Sequence, residues 1–181
     1  MMVKSATNPL VHWLAGCLLS LSLINQATAQ SDQTLLLIGA NPGVGIGIYN
    51  SVGVNFGIDL RYQHPLTNNL TLIGKTGIES LRVKGRYVDQ FRQEYQTATG
   101  LGIPITVGPR YYIMPGLYGG LNLGADIGIT KLVSSSFRFE PGVGIVVPLQ
   151  AGYLDVGTSI STSLSRGSGT FSFNVSYGLK R

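Results

Sequence analysis

Residues 52–63, VGVNFGIDLRYQ, decide the fold, because apolar residues alternate with polar or small residues at every second position. The apolar set is Val52, Val54, Phe56, Ile58, Leu60 and Tyr62, and the opposing set is Gly53, Asn55, Gly57, Asp59, Arg61 and Gln63. Successive side chains of a β-strand point to opposite faces of a sheet, whereas a helix would spread both sets around its circumference. The stretch therefore predicts a strand with one apolar and one polar face.

The same alternation recurs in seven further segments, which are residues 34–48, 70–84, 99–112, 117–130, 137–147, 154–164 and 170–179. The segment at 34–48 is interrupted by Gly, and that at 70–84 suggests a bulge near Ser80. Turns rich in Pro, Gly and Asn at 64–69, 114–116 and 148–152 alternate with more polar loops, of which 85–98 is the longest. This arrangement predicts an all-β fold, an eight-stranded antiparallel up-and-down transmembrane β-barrel with its polar loops at the cell surface.

The composition is consistent with that fold. Of 181 residues, 44% are hydrophobic, only 12% are charged and 25 are Gly, which excludes a disordered, solvating chain. Beyond the first 30 residues no apolar run approaches the ~18 residues that a membrane-spanning helix needs. Apolar residues at alternate positions instead provide a lipid-facing surface without any long apolar run.

Residues 1–29 are predicted to be a secretory signal peptide, with Lys4 preceding an apolar segment at 10–24. Ala27 and Ala29 are the small residues of a cleavage site before Gln30, so residues 30–181 are expected to form the exported domain in the outer membrane. Cys17 ends a match to a lipoprotein box, but the apolar segment continues beyond it, which favours cleavage after Ala29.

Charged residues share the polar faces of the predicted strands. They are four cations, Arg61, Lys75, Arg110 and Arg138, and five anions, Asp59, Glu79, Asp126, Glu140 and Asp155. Buried charges are tolerated when they are paired and hydrogen-bonded, and eight strands enclose a space that side chains just fill. We therefore expect a structural charge network that plugs the lumen, with Gly on the same faces leaving room for it.

Three other functions stay open at this point. Apolar faces turned inward would make a soluble, exported ligand carrier, although the nine charges contradict an apolar cavity. A narrow pore would need an unplugged lumen. A lipid-modifying barrel enzyme would need a histidine-containing site.

Groups able to carry chemistry are scarce. Once residues 1–29 are removed, the chain has one histidine, His64 in a predicted turn, and no cysteine, so a usual zinc site cannot form. The Gly-rich stretch 39–47 lacks the Lys-Ser/Thr pair of a phosphate-binding loop. We predict no catalytic, cofactor-binding or metal-binding residues, no cofactor and no enzymatic activity.

Basic residues form no stripe, so nucleic acid is not an expected partner despite the net charge of +5. Five of them gather at the predicted cell-surface end, namely Lys84, Arg86, Arg92, Lys131 and Arg166. We expect them to contact phosphates of lipopolysaccharide, with solvated loop charges as the alternative.

Aromatic residues lie near both ends of the predicted strands. Those beside the turns are Tyr62, Tyr111, Tyr112, Tyr118, Tyr153 and Tyr177, and those at the other end are Tyr87, Phe91, Tyr95, Phe137 and Phe171. Two such clusters match the interfacial girdles of transmembrane barrels, although Tyr also favours strands in general.

Three segments carry a resemblance to a known family: FGIDLRYQHPLTNNLTL at 56–72, GPRYYIMPGLYGGLNLGAD at 108–126 and FRFEPGVGIVVPLQAGYLDVG at 137–157. Over residues 52–177 the chain resembles the small, porin-like outer-membrane β-barrel domain proteins of Gram-negative bacteria. The resemblance implies the barrel fold and insertion by the barrel assembly machinery, but it does not indicate an activity. From the residues we expect a monomer in outer-membrane lipid with a structural or surface-interaction role, any binding being centred on loop 85–98. Such barrels usually end in an aromatic residue, whereas this chain ends Leu179-Lys180-Arg181, so Phe173, Val175 and Tyr177 would have to serve instead.

Overall fold

The computed structural model describes residues 34–47, 52–89, 92–131, 133–163 and 168–179. The predicted signal peptide, with Cys17 and the cleavage site at Ala29 and Gln30, lies outside these residues. Across the described ranges no helix has the length and apolar character needed to cross a membrane.

Eight antiparallel strands close into a barrel in sequence order, and β1 pairs with β8 to complete it. The strands are β1 Leu35–Gly47, β2 Val52–Thr67, β3 Leu70–Asp89, β4 Arg92–Met114, β5 Leu117–Gly128, β6 Ser136–Leu149, β7 Gly152–Ser163 and β8 Ser168–Leu179. The predicted eight-stranded, antiparallel up-and-down barrel is therefore confirmed.

Tight turns connect the strands at one end, which we call the turn end; the opposite end is the loop end. The expected turn at 64–69 is too long, because β2 continues through His64 and Pro65 to Thr67. Thr67 Oγ1 accepts hydrogen bonds from the backbone N–H groups of Asn69 and Leu70, at 3.4 and 3.1 Å, and so stabilises a turn of two residues. The next turn at this end requires Gly116, whose φ of 79° lies in the left-handed region.

The prediction of a surface loop at 85–98 is wrong, because β3 and β4 continue through most of this segment. They pair as far as Asp89↔Arg92, whereas β2 last pairs with β3 at Val83 and β5 last pairs with β4 at Gly102. We call residues 84–89 and 92–98 the ribbon. Continued pairing satisfies backbone groups that a loop would leave to solvent, and residues 85–98 contain no Pro to interrupt it.

The bulge expected near Ser80 lies elsewhere. Ser80 pairs regularly with Phe56 and with Leu101. The register of β2 against β3 shifts between Val52 and Asn55 instead, close to the loop end.

The outside of the barrel is apolar on every strand. Each strand exposes a large apolar side chain: Ile38, Ile58, Ile78, Ile105, Ile127, Val143, Ile160 and Phe173 in order from β1 to β8. Ile38 is 61% exposed and Val143 is 58% exposed, whereas Asp155 inside the barrel is 0% exposed. A carrier with its apolar faces turned inward is thereby excluded.

Half of the aromatic cluster expected as an outer girdle at the turn end points inward. Tyr62, Tyr111 and Tyr177 are exposed, but Tyr112, Tyr118 and Tyr153 are buried. The buried three join Leu35, Leu37 and Val146 in one cluster, which we call the turn-end core. At the loop end, Phe137 and Phe171 are exposed, and the side chains of Tyr87, Phe91 and Tyr95 lie outside the described part.

Candidate functional site

The interior holds all nine charged residues that the alternation assigned to the polar faces. Asp59, Arg61, Lys75, Glu79, Arg110, Arg138, Glu140 and Asp155 are buried, and Asp126 is partly exposed near the loop end. They come from six strands, β2 to β7, and each occupies one of the alternate positions of its strand whose side chains point into the barrel. We call these nine residues the ion-pair network.

At the loop end of the network, three carboxylates surround one guanidinium group. Arg138 Nη1 lies 2.7 Å from Glu79 Oε2 and 2.9 Å from Asp126 Oδ1, and Arg138 Nε lies 2.8 Å from Glu140 Oε2. Asn55 Nδ2 donates a further hydrogen bond to Glu79 Oε1 at 2.6 Å. One arginine thus joins strands β3, β5 and β6 across the interior.

Lys75 and Arg61 continue the network through the middle of the barrel. Lys75 Nζ contacts Glu140 Oε1 at 2.6 Å and lies 3.9 Å from Asp59 Oδ2. Arg61 Nη2 lies 2.8 Å from the same Asp59 oxygen and donates to Asn41 Oδ1 at 2.9 Å. A continuous series of side-chain contacts therefore connects β6, β3, β2 and β1.

Asp155 connects the network to the turn-end core. Its Oδ2 lies 2.9 Å from Arg110 Nη2 and 3.8 Å from Arg61 Nη1, and its Oδ1 accepts a 2.6 Å hydrogen bond from the Tyr118 hydroxyl. The Arg110 guanidinium stacks over the Tyr118 ring, 3.7 Å from its centroid, which adds a cation–π contact. Tyr118 is thus the residue shared by the polar and the apolar parts of the interior.

Two inward glycines make room for these contacts. A Cβ on Gly144 would overlap the Tyr118 hydroxyl, and a Cβ on Gly39 would lie 2.8 Å from Asp59 Oδ1 and overlap the Ser176 hydroxyl. Larger residues at these positions would displace hydrogen-bonded side chains, which explains part of the Gly excess in the sequence.

Among the described residues, the two cavities between interior side chains are small. One cavity of about 40 Å³ is bounded by Arg61, Lys75, Arg110 and Glu140, and another of about 10 Å³ by Asp59, Lys75, Glu79 and Arg138 among others. A water molecule needs roughly 10–15 Å³ by this kind of measure, whereas drug-sized ligands occupy pockets of about 300–1,000 Å³. These cavities fit a few water molecules.

The residues expected to contact lipopolysaccharide are not shown together. Lys84, Arg86 and Arg92 lie on the backbone of the ribbon, but their side chains are outside the described part, as is the whole of Arg166. Lys131 is exposed just beyond β5. Arg82, which the sequence reasoning left out, is exposed on the outer face of β3, and its parity with Ile78 was the signal that could have identified it.

The prediction that His64 lies in a turn is also wrong. It lies in β2 on the outer face, and its ring stacks on that of Tyr62 with centroids 6.5 Å apart. Among the described residues, no three His, Cys, Asp or Glu side chains are grouped so as to hold a metal ion.

Comparisons with known proteins support the fold but identify no family. No protein-family model and no curated protein matches the sequence. The crystal structure of Ail, the attachment invasion locus protein of Yersinia pestis, is similar with 16% identity and a TM-score of 0.51, over 81% of this chain and 96% of that chain. The crystal structure of Ail in complex with the heparin analogue sucrose octasulfate is similar with 17% identity and a TM-score of 0.54, over the same shares. Both likenesses agree with a small closed β-barrel.

Proposed function

We propose that this chain is a small integral outer-membrane β-barrel protein with a structural or surface-interaction role. The observation that carries the proposal is the distribution of residues across the barrel wall. Every strand exposes a large apolar side chain on the outside, while the ion-pair network lies inside. Removing this apolar outer surface from water is favourable by about 25 cal/mol per Å², and contact with the hydrocarbon chains of a lipid bilayer would remove it.

The closed topology supports the same placement. Since β1 pairs with β8, no strand of the barrel wall has a free edge, so backbone groups in the wall are satisfied without water. The similarity in fold to the outer membrane protein Ail is consistent with this environment. In our proposal the turn end faces the periplasm and the ribbon faces the cell exterior, the usual orientation of such barrels.

A plugged lumen is the second part of the proposal. Eight ion pairs of 2.6–3.9 Å connect the interior residues, and the cavities between them fit only a few waters. The turn-end core supports it, because its six side chains are each at most 7% exposed. Removing a partner from such a buried network would leave an uncompensated charge, so we expect the paired side chains to stay in place across the lumen.

The role we propose is non-enzymatic, without a cofactor, and performed by a monomer. In support, the interior carboxylates are engaged by Arg, Lys or Tyr, and His64 lies on the outer face away from them. Phe173, Val175 and Tyr177 share the outer face of β8, where the barrel assembly machinery could recognise them in place of a terminal aromatic residue. We further propose that basic residues at the loop end contact lipopolysaccharide.

Membrane fractionation combined with gel mobility before and after heating tests the placement. We expect the protein in the outer-membrane fraction, resistant to carbonate extraction, and migrating faster when unheated because the barrel stays closed. Recovery of the mature chain in the aqueous periplasmic fraction would overturn the proposal.

Planar-bilayer recording tests the plug separately. The wild-type protein, shown to be inserted by the mobility assay, should give no steady conductance steps. Regular steps from inserted wild-type protein would contradict the plug while leaving the membrane placement intact, and would favour the narrow pore.

A further inference from the structure

Two exposed cations stand at the loop-end edge of the apolar outer surface. Arg82 follows Ile78 and Ser80 in the outward row of β3, and Lys131 follows Ile129 just beyond β5. Ile78 and Ile129 are 58% and 54% exposed, so Lys131 comes two residues after an exposed apolar side chain, and Arg82 comes four residues after one with Ser80 between them. Both charges are therefore placed where a lipid headgroup would lie if the barrel spans a membrane.

Contacts with β4 bring both cations near Leu101. Arg82 pairs with Thr99 of β4, two residues beyond the pair of Ser80 and Leu101. Beyond Gly128, where β5 ends, the backbone N–H groups of Ile129 and Thr130 donate to Leu101 O at 2.9 and 3.4 Å, and Thr130 Oγ1 accepts from Leu101 N–H at 3.1 Å. Lys131 therefore follows directly after a residue that is held against β4.

Neither cation has a described ionic partner. The ion pairs among the described residues all lie inside the barrel, on the opposite side of the wall from Arg82, whereas Lys131 is exposed beyond the end of β5. Thr99, the exposed pairing partner of Arg82, offers a hydroxyl group, and Leu101, 37% exposed, lies two residues nearer the turn end. The patch thus combines two positive charges without an ion pair among the described residues, a polar group and nearby apolar side chains.

We infer that Arg82 and Lys131 form a docking site for the lipid A part of lipopolysaccharide. Lipid A carries two phosphate groups on one disaccharide above several acyl chains, which matches two exposed cations, one on β3 and one just beyond β5, at the edge of an apolar wall. A phospholipid headgroup with one phosphate would engage only one of the two cations. The inference rests on the proposed membrane placement and assigns the lipopolysaccharide contact to Arg82 and Lys131 rather than to the ribbon.

The test measures binding of lipid A to the purified mature protein in a non-ionic detergent by native mass spectrometry. The variants are Arg82→Gln, Lys131→Gln and the two combined, and the matched control is the double variant Arg86→Gln with Arg92→Gln on the ribbon. At about 1 kcal/mol for each cation near an anionic lipid surface, each single change should weaken binding about fivefold and the double change about 30-fold. The ribbon control should bind within about twofold of wild type.

Further arms separate the possible failures. Lipid A with one phosphate should bind the wild-type protein about fivefold more weakly, and phosphatidylglycerol should bind more weakly still. Equal binding of phosphatidylglycerol and lipid A, or equal loss in the ribbon control, would overturn the site. Unchanged binding in the Arg82/Lys131 double variant, with the heat-dependent mobility shift intact, would overturn this inference alone. A wild-type protein that stays soluble without detergent would instead overturn the membrane placement.

Discussion

The two ends of the barrel interior are filled by opposite chemistry. Toward the loop end, Arg138 holds three carboxylates through charge-assisted contacts of 2.7–2.9 Å. Toward the turn end, Leu35, Leu37 and Val146 pack with three tyrosines in a cluster that contains no charge. The difference shows that the inward-pointing positions of one barrel can form both a charged core and an apolar core, with a residue such as Tyr118 contacting both.

These two kinds of core should respond differently to substitution. A polar network is costly to break because each lost partner leaves a buried charge behind, whereas an apolar cluster loses only packing and transfer free energy. Four substitutions, taken from the largest expected effect to the smallest, test that distinction.

Arg138→Met should have the largest effect, a loss of about 4 kcal/mol in the free energy of unfolding. The change leaves Glu79, Asp126 and Glu140 without the guanidinium group that they share. Urea unfolding in phospholipid bilayers, followed by the gel mobility of the closed barrel, measures it. The control is Arg82→Met on the outer face, expected within about 0.5 kcal/mol of wild type; equal losses would show that the network adds no stability.

Leu37→Ala should cost about 3 kcal/mol, because Leu37 is 1% exposed in the turn-end core. Its neighbour Leu36 is 47% exposed on the outer face, so Leu36→Ala leaves no interior cavity and should cost less. The same urea assay compares the two. A larger loss for Leu36→Ala would mean that contact with lipid, rather than the turn-end core, dominates at this end.

Tyr118→Phe tests the junction between the two cores and should cost about 2 kcal/mol. The ring and its contact with Arg110 stay, but Asp155 Oδ1 loses the 2.6 Å hydrogen bond from the hydroxyl group. Tyr112→Phe is the matched control, since among the described contacts its hydroxyl accepts a longer bond of 3.3 Å from Gln63 and donates to no carboxylate, and about 1 kcal/mol is expected. Equal effects would argue against a special role for Tyr118.

Gly144→Ala comes last, with an expected loss of about 2 kcal/mol that matches Tyr118→Phe, because the added methyl group would displace the Tyr118 hydroxyl and lie 2.7 Å from Val156 O. Gly119→Ala is its control, since a Cβ there meets no atom within 4 Å. Thermal unfolding by heat-dependent mobility separates the pair. A stability at or above wild type for Gly144→Ala would show that the junction has spare room.

The sequence was sufficient to predict the strands and the direction of the charges, because alternation reports parity wherever polar and apolar residues take turns. Asp59 and Arg61 could thus be assigned to one face from residues 52–63 alone. Alternation gives no information within runs of one class, so LLLI at 35–38 alone does not show that Leu37 points inward. Within IVV at 145–147, the inward position of Val146 follows only from its parity with Gly144. The turn-end core is therefore weakly marked in the sequence.

Two further differences have other physical causes. Tyr112 and Tyr118 were assigned by their distance from a turn, although their parity with Arg110 and Asn122 already indicated the interior. The ribbon was missed because polar composition predicts a loop, whereas a hairpin can extend beyond the barrel wall wherever its two strands satisfy each other's backbone groups.

Closure of the barrel also has a topological consequence. Leu37 of β1 and Gly178 of β8 are register partners, so the start of β1 and the end of β8 lie side by side at the turn end. A circular permutant that joins residue 179 to residue 35 through a short flexible linker, and opens the chain between Pro115 and Gly116, keeps every strand neighbour of the original. In connectivity the eight strands form a ring, and the present order of the polypeptide is one of several ways to cut it.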